Sequence, residues 1–551
     1  MTEPGSLPKA IHSHWVWLLL VSASLLATLP LWIPAYPPMT DLPQHAAQVT
    51  LLRQMHDPHF AFANQFEVNW FTPYLVGYFP IYLLSPWLGI VLACKLVICL
   101  GLAAFPLSTA LVMTETGTDR YWSLLSIPAM YGFSYYWGFL NFIVAAPIGM
   151  CFFWIVMRSV RHESRWNAVS LALLLNLLFF CHALICAFFL VISVGYIFCE
   201  VKPARSALTK SLPLLSVIPT ALMWMAKTSS HPVAHRQMRW DLGWLNTTDP
   251  YYKFLAEWSN SAHPGWGRLS GFVPRLLGVE PHVGYWFVAA AFFFIPLLAG
   301  ARLSRKVSVW VPFVTVMAVM LFAPAIAYGT DFVFQRFTLF TLPFFLIGLS
   351  QAPSVTNFVK ERRLLRTAAP VLVAIWIGVL CVRAVAYDRA AQGFADMLTH
   401  MQPEQRALSL DFVRDTEFTI SPSFLLYAAW YSAEKQGIVD PSNAFWHVEL
   451  VRYKPDSVPK VRQLDFEWNP REFSWDKYDA VNYRYFIVSN LSDDRQKLFS
   501  GASCPIGLKY SSNIWFLYEQ EPKCYQSGLT AAGQHVAKNS MAGNEAEKVS
   551  R

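Results

Sequence analysis

The hydrophobic positions of this chain form long unbroken runs, not the short alternation of a soluble sheet protein. The first run, His14–Tyr36, is long enough to cross a hydrocarbon core of about 30 Å, which needs about 20 apolar residues. It is too long for a cleavable signal peptide, so we interpret it as a retained span. Further spans are predicted at about 73–92, 94–113, 138–158, 211–226, 284–301, 307–326, 338–352 and 367–386, with two short ones inside 166–200. The pattern predicts an all-α polytopic membrane protein of about 11 spans.

Two segments interrupt this pattern. Residues 121–136 contain Pro128, Gly132 and several aromatic residues, which predicts a broken or re-entrant segment on the outer side of the membrane. The two short spans inside 166–200 require a turn near His182, also on the outer side. Polar groups at such breaks in the membrane are functional candidates, because they are costly to keep there.

The pattern changes after residue 386. Stretches such as Tyr483–Leu491 and Asn513–Glu521 have the composition and turn boundaries of strands. These features predict a soluble α/β domain over 387–528, attached to a transmembrane domain over 1–386 with outer loops at 36–72 and 227–282. Residues 529–551 are polar and of low complexity, which predicts a disordered tail.

Composition and charge agree with this division. Only 14% of the 551 residues are charged and 55% are hydrophobic, whereas soluble domains have about 25% charged residues. Basic clusters at 158–165, 202–210, 302–306 and 360–366 predict the cytoplasmic face by the positive-inside rule. The N-terminus is then cytoplasmic and the C-terminal domain lies outside, in the periplasm if this is a bacterial inner-membrane protein. The basic clusters indicate membrane topology, not nucleic-acid binding.

The nine cysteines have no metal-binding spacing. Most lie in apolar runs, as small core residues do. Cys504 and Cys524 both lie in the predicted outer domain, where a disulfide can form. The sequence leaves the disulfide and two free thiols equally open.

The first outer loop contains the best candidate site. Thr40 or Asp41 can cap a helix that begins near Pro43, and Asp41 and His45 are four residues apart and can share a face. The helix is amphipathic and predicted to lie on the membrane surface. A carboxylate beside an imidazole can act as a general base or hold a divalent metal. The simpler alternative is a capping Asp with a solvated His.

Two arginines are candidates for binding a donor phosphate, because a guanidinium presents paired donors to phosphate oxygens. Arg336 lies at the outer mouth of a late span; it could instead pair with Asp331 or extend to the interface. Arg239 lies in the loop 227–282 among histidines and aromatic residues, which could also be an ordinary polar loop. We expect further substrate contacts from four residues: Gln44, Tyr135, His182 and Gln335.

The stretches "YPPMTDLPQHAAQ" and "FVFQRFTLFTLPFFL", together with the C-terminal strand pattern, resemble the GT-C superfamily of polyprenyl-phosphate-sugar-dependent glycosyltransferases. The resemblance implies Asp41 as the catalytic acidic residue, supported by His45, and Arg336 as the residue that holds the donor phosphate. A second acidic residue of the family has only Glu115 or Asp119 as candidates, in a loop predicted to be outside.

The function implied is transfer of a sugar from a polyprenyl-phosphate donor to a glycan, lipid or protein acceptor on the outer face. No cofactor is certain, although a divalent metal can be accommodated. Membrane lipids are the other expected partners, and nucleic acid is not. The alternatives are a non-catalytic membrane assembly or sensor protein and a transporter of a lipid-linked glycan. Intramembrane charges are few and no repeat is visible, which disfavours the transporter.

Overall fold

The computed structural model describes residues 9–162, 164–229, 266–325, 330–350, 359–461, 466–491 and 497–525. It is mostly helical up to residue 390 and then changes to an α/β domain. Within the described residues, six helices are long and apolar enough to cross a membrane, and five shorter apolar helices accompany them. The predicted fold class is therefore confirmed, while the number of spans stays a prediction.

The first eleven helices are α1 Lys9–Leu26, α2 Leu29–Trp32, α3 Leu42–Gln54, α4 Leu75–Leu88, α5 Ile90–Thr116, α6 Phe133–Trp137, α7 Leu140–Arg161, α8 Arg165–Cys181, α9 Ala183–Glu200, α10 Ala204–Ser211 and α11 Val217–Ser229. Later helices are Phe272–Leu277, Val283–Leu298, Val311–Phe322, Val333–Arg336, Thr341–Ile347, Val359–Ala390, Phe394–Thr399 and Ala429–Lys435. A 3₁₀ helix, Arg120–Tyr131, precedes α6.

The four basic clusters meet at one end of the helices. Arg161 pairs with Glu115 at 3.0 Å, Arg366 with Asp119 at 2.7 Å, and Lys306 with Glu200 at 2.8 Å. Lys210 donates to the carbonyl of residue 160 at 3.1 Å, which ties the second cluster to the first. We call this the basic end. His182 separates α8 from α9 in extended backbone, so the predicted break near this residue is present.

The positions of Glu115 and Asp119 correct the predicted outer loop. Both acids pair with basic clusters, so the turn that carries them lies at the basic end and not on the side of Asp41. From the basic end, the 3₁₀ helix Arg120–Tyr131 takes the chain back to the side of Asp41. Its Arg120 lies over Trp17, in the middle of α1, while the Tyr131 hydroxyl donates to the Ala27 carbonyl just beyond α1. Twelve residues at about 2.0 Å each cover about 24 Å, more than an α-helix of the same length.

The predicted hairpin of spans at 73–92 and 94–113 is also wrong. α5 begins at the end where α1 finishes, because Lys95 donates to the Pro34 carbonyl at 2.6 Å. α4 stays at that same end: Arg53, in α3, donates to the Tyr82 carbonyl and to the Ser85 hydroxyl. α4 therefore lies beside α3 without descending to the basic end. Only three of its 14 residues are buried, and Phe79, Leu83 and Trp87 are 58%, 52% and 85% exposed. The apolar composition of α4 therefore suits side chains that face lipid and does not require a span.

The C-terminal domain contains a five-stranded mixed sheet. The strands are β4 Arg406–Asp411, β5 Ile438–Asp440, β7 Tyr485–Ser489, β8 Ile506–Ser512 and β9 Trp515–Gln520, in the order β5-β4-β7-β9-β8. β4 is parallel to β5 and β7, and β9 is antiparallel to β7 and β8. The two strands predicted from sequence are β7 and β9, which pair with each other. Cys504 and Cys524 form a disulfide beside β8.

The sheet lies between two hydrophobic cores, because successive side chains of a strand point to opposite faces of the sheet. Tyr485 and Ile487 pack into the core that includes the membrane helices, whereas Phe486 and Val488 pack into a separate core behind the sheet. The domain is also joined to the segment 36–72, which the sequence predicts to be an outer loop. β1 Phe66–Val68 pairs with β6 Val451–Tyr453, and two further short strands, β2 Arg302–Leu303 and β3 Leu349–Ser350, pair at the basic end.

Helix α3 is buried on nearly all sides, which corrects the prediction of a surface helix. Eleven of its 13 residues are buried. Its polar face is covered by the C-terminal domain, whose backbone bonds Gln44, Gln48, Thr50 and Gln54. The polar side chains that suggested a solvated face are therefore paired with protein. Sequence amphipathicity cannot distinguish these two situations.

Candidate active site

Asp41 lies at the N-terminal end of α3 but does not cap it. The residue occupies the N-cap position without a side-chain hydrogen bond to the helix. Within the described part of the chain, its carboxylate makes no hydrogen bond or ion pair, and the side chain keeps some accessible surface. The neighbouring Thr40 instead binds the Tyr136 carbonyl and the Ser421 hydroxyl. Helix capping, the simpler interpretation of Asp41, therefore does not account for the position of its carboxylate.

The turn after α6 holds Asp41 in place. The Asp41 amide donates to the Trp137 carbonyl at 3.0 Å, and the Thr40 amide donates to the Tyr136 carbonyl at 3.0 Å. Gly138 follows in the left-handed conformation, with φ of 87°. A Cβ on Gly138 would come within 2.7 Å of the Asp41 nitrogen. Glycine is required there both for its backbone conformation and for this close approach.

Arg336 comes to the same place from a distant part of the sequence. Its Nε and Nη2 donate to the Asp331 carbonyl at 3.2 and 3.0 Å, and its guanidinium lies 3.5 Å from the ring centre of Phe139. These contacts hold the side chain without using a carboxylate. Asp41 and Arg336 act electrostatically on each other, yet they form no ion pair within 4.0 Å among the described residues.

The segment before Arg336 is conformationally strained. Phe332 has φ of 57°, a left-handed conformation that a bulky residue rarely adopts. Its ring is held against Trp137, with ring centres 4.3 Å apart. Aromatic packing thus fixes the turn from which Arg336 projects, and strain of this kind concentrates at functional sites.

His45 begins a chain of polar contacts that leads into the C-terminal domain. Its Nδ1 lies 2.6 Å from the Tyr78 hydroxyl, which is 3.3 Å from Oε2 of Glu449. His45 also has a backbone hydrogen bond to Gly138. Burial, followed by the charge of Arg336, lowers the pKa of His45 to about 3. The imidazole is therefore neutral at physiological pH and can orient a hydroxyl without carrying charge.

Several acidic residues face Asp41. Burial raises the pKa of Asp41 to about 7; the Arg336 charge lowers this pKa and the Asp331 carboxylate raises it. Burial also raises the pKa of Glu449 to about 8, with Asp41 adding to the effect. The pKa of Glu467 is raised well above its usual value by burial and by Asp41, and its Oε2 has no hydrogen-bond partner among the described residues.

These values separate the roles that the acids can take at neutral pH. Asp41 is about half ionised near pH 7, so it can accept a proton. Glu449 is mostly protonated, and the raised pKa of Glu467 favours its protonated form; a protonated carboxyl can donate a hydrogen bond to a sugar or phosphate oxygen. One arginine and one poised carboxylate, surrounded by neutral donors, can bind an anion and abstract a proton beside it.

The other residues expected to contact substrate are distributed differently. His182 is buried, with its ring 5.7 Å from that of Tyr74, and both His45 and Arg336 act on it electrostatically. Its Nδ1 has no hydrogen-bond partner among the described residues. Gln335, next to Arg336, is buried with both amide atoms similarly unpartnered. These two residues stay candidates for substrate contact.

Gln44 and Tyr135 lie in other environments. The Gln44 amide is bonded through both atoms to the domain, donating to the Pro441 carbonyl and accepting from the Asn443 amide. Tyr135 lines a separate pocket with Arg383. Arg239 lies outside the described residues. Within those residues, no group of three or more His, Cys, Asp or Glu side chains could hold a metal ion.

Three residues of this site had no signal in the sequence: Tyr78, Glu449 and Glu467. Tyr78 lies in an apolar run, where a tyrosine at the membrane interface is ordinary. The two glutamates lie in a soluble domain, where acidic residues are common. A polar residue in an aromatic stretch such as "FWHVELV" is only a weak hint of burial.

The fold is shared with known structures. ArnT from Cupriavidus metallidurans bound to undecaprenyl phosphate has a TM-score of 0.52 and 12% sequence identity, covering 93% of this chain and 99% of that chain. ArnT from the same organism in the apo state has a TM-score of 0.51, with the same identity and coverage. No protein-family model and no curated protein sequence matches the chain. The chain therefore shares the overall fold of these ArnT structures.

Proposed function

We propose that this protein is an integral membrane glycosyltransferase that moves a sugar from a polyprenyl-phosphate donor to an acceptor hydroxyl. The observation that carries the proposal is the meeting of Asp41 and Arg336 in one partly accessible site, with neither charge used by a cap or an ion pair among the described residues. The shared fold adds support, because one of its members was crystallised with undecaprenyl phosphate.

In the proposed reaction the acceptor hydroxyl attacks the anomeric carbon of the donor sugar. The bond between that carbon and the phosphate oxygen breaks, and the polyprenyl phosphate leaves. Asp41 takes the proton of the hydroxyl, and Arg336 stabilises the negative charge on the leaving phosphate. Neutral His45 orients the acceptor or Asp41. General-base catalysis of this kind contributes about 10² to 10⁴-fold.

The domain above the site has a part in this proposal. Glu449 and Glu467 belong to the C-terminal domain, while Asp41 and Arg336 belong to the membrane part. A donor phosphate at Arg336 would lie at this boundary, with its lipid tail in the membrane. The domain then excludes water from the reacting atoms and supplies neutral hydrogen-bond donors.

Two measurements, binding of the lipid and turnover of the lipid-linked sugar, distinguish the role proposed for Arg336 from the role proposed for Asp41. For purified full-length protein, we expect Arg336→Ala to weaken binding of undecaprenyl phosphate, while Asp41→Asn keeps it. In the host, we expect both variants to accumulate unused lipid-linked sugar, measured by mass spectrometry of extracted lipids. Arg389→Ala is the matched control, because Arg389 is an exposed arginine at the end of the helix Val359–Ala390.

The two alternatives give different results. A transporter of lipid-linked glycans needs the phosphate contact but no base, so Asp41→Asn would leave the lipid-linked sugars unchanged. An assembly or sensor protein predicts unchanged lipids in both variants. If both variants are expressed normally and neither changes the lipid-linked sugars or the glycans, the proposal is wrong.

A further inference from the structure

A large cavity lies where the C-terminal domain meets the turn between α4 and α5. About 600 Å³ of it is open to water, within the range of roughly 300–1,000 Å³ for sites that take a small molecule. One wall comes from the stretch 85–92, another from 433–436 of the domain, and a third from the end of α3. Arg53, which lines the cavity, is about 18 Å along α3 from Asp41, so the cavity is separate from the proposed active site.

Among the described residues, two cations and one carboxylate line the cavity: Arg53, Lys95 and Glu434. Arg53 is held through Nη2, which donates to the Tyr82 carbonyl and to the Ser85 hydroxyl. Its Nε and Nη1 make no hydrogen bond in the part of the chain that the structure describes, and neither atom is shielded from solvent. Both nitrogens are therefore available to a ligand in the open space.

Lys95 and Glu434 are also only partly used by the protein. The Lys95 Nζ donates to the Pro34 carbonyl at 2.6 Å, and its other two N–H groups make no hydrogen bond among the described residues. The Glu434 side chain is exposed, and its Oε1 accepts a hydrogen bond from the Tyr36 hydroxyl. Although these charges line one cavity, neither cation forms an ion pair with Glu434 within 4.0 Å.

The contacts that hold Arg53 and Glu434 also keep them apart. Thr50, one turn before Arg53 on α3, donates at 2.9 Å to the carbonyl of Ala433, the residue before Glu434. The two charged residues thus flank one contact between helix and domain, yet the Arg53 guanidinium lies over the Tyr82 ring, 4.5 Å from its centre. Opposite charges that share a cavity without pairing are complementary to a ligand that carries both signs.

The apolar part of the lining indicates that this ligand is a lipid. Leu88 and Leu92 line the cavity and are 38% and 39% exposed, and Leu92 belongs to α5, which is long and apolar enough to span a membrane. Trp32, at the end of α2, also lines the cavity, and tryptophan is common at the level of the lipid headgroups. A soluble zwitterion would leave these apolar side chains in water, whereas acyl chains can cover them.

We propose that this cavity binds the headgroup of an amine-bearing phospholipid of the phosphatidylethanolamine class. Arg53 and Lys95 bind the phosphate oxygens, Glu434 binds the ammonium group, and the acyl chains lie along Leu88 and Leu92. An anionic phospholipid presents no cation to Glu434 and therefore binds less tightly. The site does not depend on the proposed glycosyltransferase activity, because it shares no side chain with the Asp41 site.

Native mass spectrometry of the purified full-length protein tests the site with phosphatidylethanolamine and phosphatidylglycerol of identical acyl chains. We expect wild type to retain about tenfold more phosphatidylethanolamine, the preference expected from one charge-assisted contact. Glu434→Gln should abolish this preference, because it removes the charge and keeps an oxygen for the Tyr36 hydroxyl. Glu521→Gln is the matched control and should keep the preference, because Glu521 is an exposed glutamate of the same domain that does not line the cavity.

The phosphate contact is tested separately. Arg53→Gln should lower the retention of both lipids about tenfold, because both carry a phosphate. Diacylglycerol, which has no phosphate, should not be retained by wild type. Wild-type retention of both phospholipids on folded Arg53→Gln protein would contradict this contact.

Three results would overturn the proposal: equal retention of the two phospholipids by wild type, an unchanged preference in Glu434→Gln, or the same loss of preference in Glu521→Gln. Displacement of the lipid by millimolar glycerophosphoethanolamine would also contradict it, because the site would then take a soluble headgroup without acyl chains. The comparison of the two lipids on wild type needs no variant, so it decides the question even if Glu434→Gln or Arg53→Gln does not fold.

Discussion

Helix α3 has polar residues of two kinds within two turns. Gln44 and Gln48 each use both amide atoms on the main chain of the C-terminal domain, at Pro441, Asn443 and Val451. The carboxylate of Asp41, one turn earlier, makes no hydrogen bond among the described residues. The glutamines are buried and Asp41 is mostly buried, yet only the glutamines have hydrogen-bond partners among the described residues.

This difference distinguishes polar residues that stabilise the fold from polar residues that are available for chemistry. A buried polar group that is fully paired stabilises the contact it makes, because losing the pair would leave donors and acceptors unsatisfied. A carboxylate that is desolvated without a partner costs stability, and proteins keep such groups where chemistry needs them. Residue type alone does not distinguish the two cases, since Gln44 and Asp41 were both candidates for the site.

Removing the Asp41 carboxylate should have the largest effect. Asp41→Asn keeps the shape of the side chain and removes the base, so we expect transfer to fall about 10² to 10⁴-fold. Thermal unfolding should change little or shift upward, because a desolvated carboxylate is replaced by a neutral amide. Turnover of lipid-linked sugar and the unfolding midpoint are measured on the same preparation. A large loss of stability in Asp41→Asn would mean that Asp41, like Gln44 and Gln48, has a structural role.

Gly138→Ala should reduce both stability and activity. The left-handed backbone costs a non-glycine residue about 1–2 kcal/mol, and the added Cβ would meet the Asp41 nitrogen. We expect a lower unfolding midpoint and a lower transfer rate per folded molecule. Gly117→Ala is the control: Gly117 is left-handed like Gly138, with φ of 74° and ψ of 14°, but no atom lies within 4 Å of its added Cβ. Equal losses of activity in both variants would contradict the role given to the Asp41 contact.

Gln48→Ala should affect stability alone. The change leaves the Val451 amide and carbonyl without their side-chain partner, at a cost of about 1–3 kcal/mol for each unsatisfied group. We expect a lower midpoint of unfolding and an unchanged transfer rate per folded molecule. Activity lost without a change in stability would place Gln48 in the reaction and remove the contrast with Asp41.

The smallest effect is a shift in pH dependence. Because Asp41 acts as a base, transfer should rise with pH through about 7, where this carboxylate loses its proton. Asp331 raises the pKa of Asp41, so Asp331→Asn should move the midpoint to lower pH, by less than about one unit. His45, with its pKa near 3, should add no inflection between pH 5 and 9. A midpoint that stays fixed in Asp331→Asn would mean that another group titrates.

Much of the architecture could be predicted because it follows from local pattern. Runs of apolar residues identified the membrane helices, the change after residue 386 identified the sheet domain, and β7 and β9 appeared as strands. The errors arose where local pattern has two interpretations. α4 is apolar enough to span but lies beside α3, and the 3₁₀ helix Arg120–Tyr131 crosses with too few residues for an α-helix.

The site was only partly predictable. Asp41, His45 and Arg336 were identified because charged groups are rare near membrane spans, and the structure brings them together. Glu449 and Glu467 could not be found, because a glutamate in a soluble domain has no local mark of burial. The two acids expected at Glu115 and Asp119 pair with basic residues at the other end.

By itself, the sequence determined the membrane class, the basic end and the residues able to do acid–base and phosphate chemistry, since these depend on composition and spacing. Only the tertiary structure decided which polar residues are satisfied. Gln44 is bonded to the backbone of the C-terminal domain and is not available to a substrate. Tyr135 lines the pocket beside Arg383, whereas the Asp41 carboxylate is unpaired among the described residues and lies near Arg336. Pairing and desolvation depend on contacts between residues hundreds of positions apart, and no local pattern contains them.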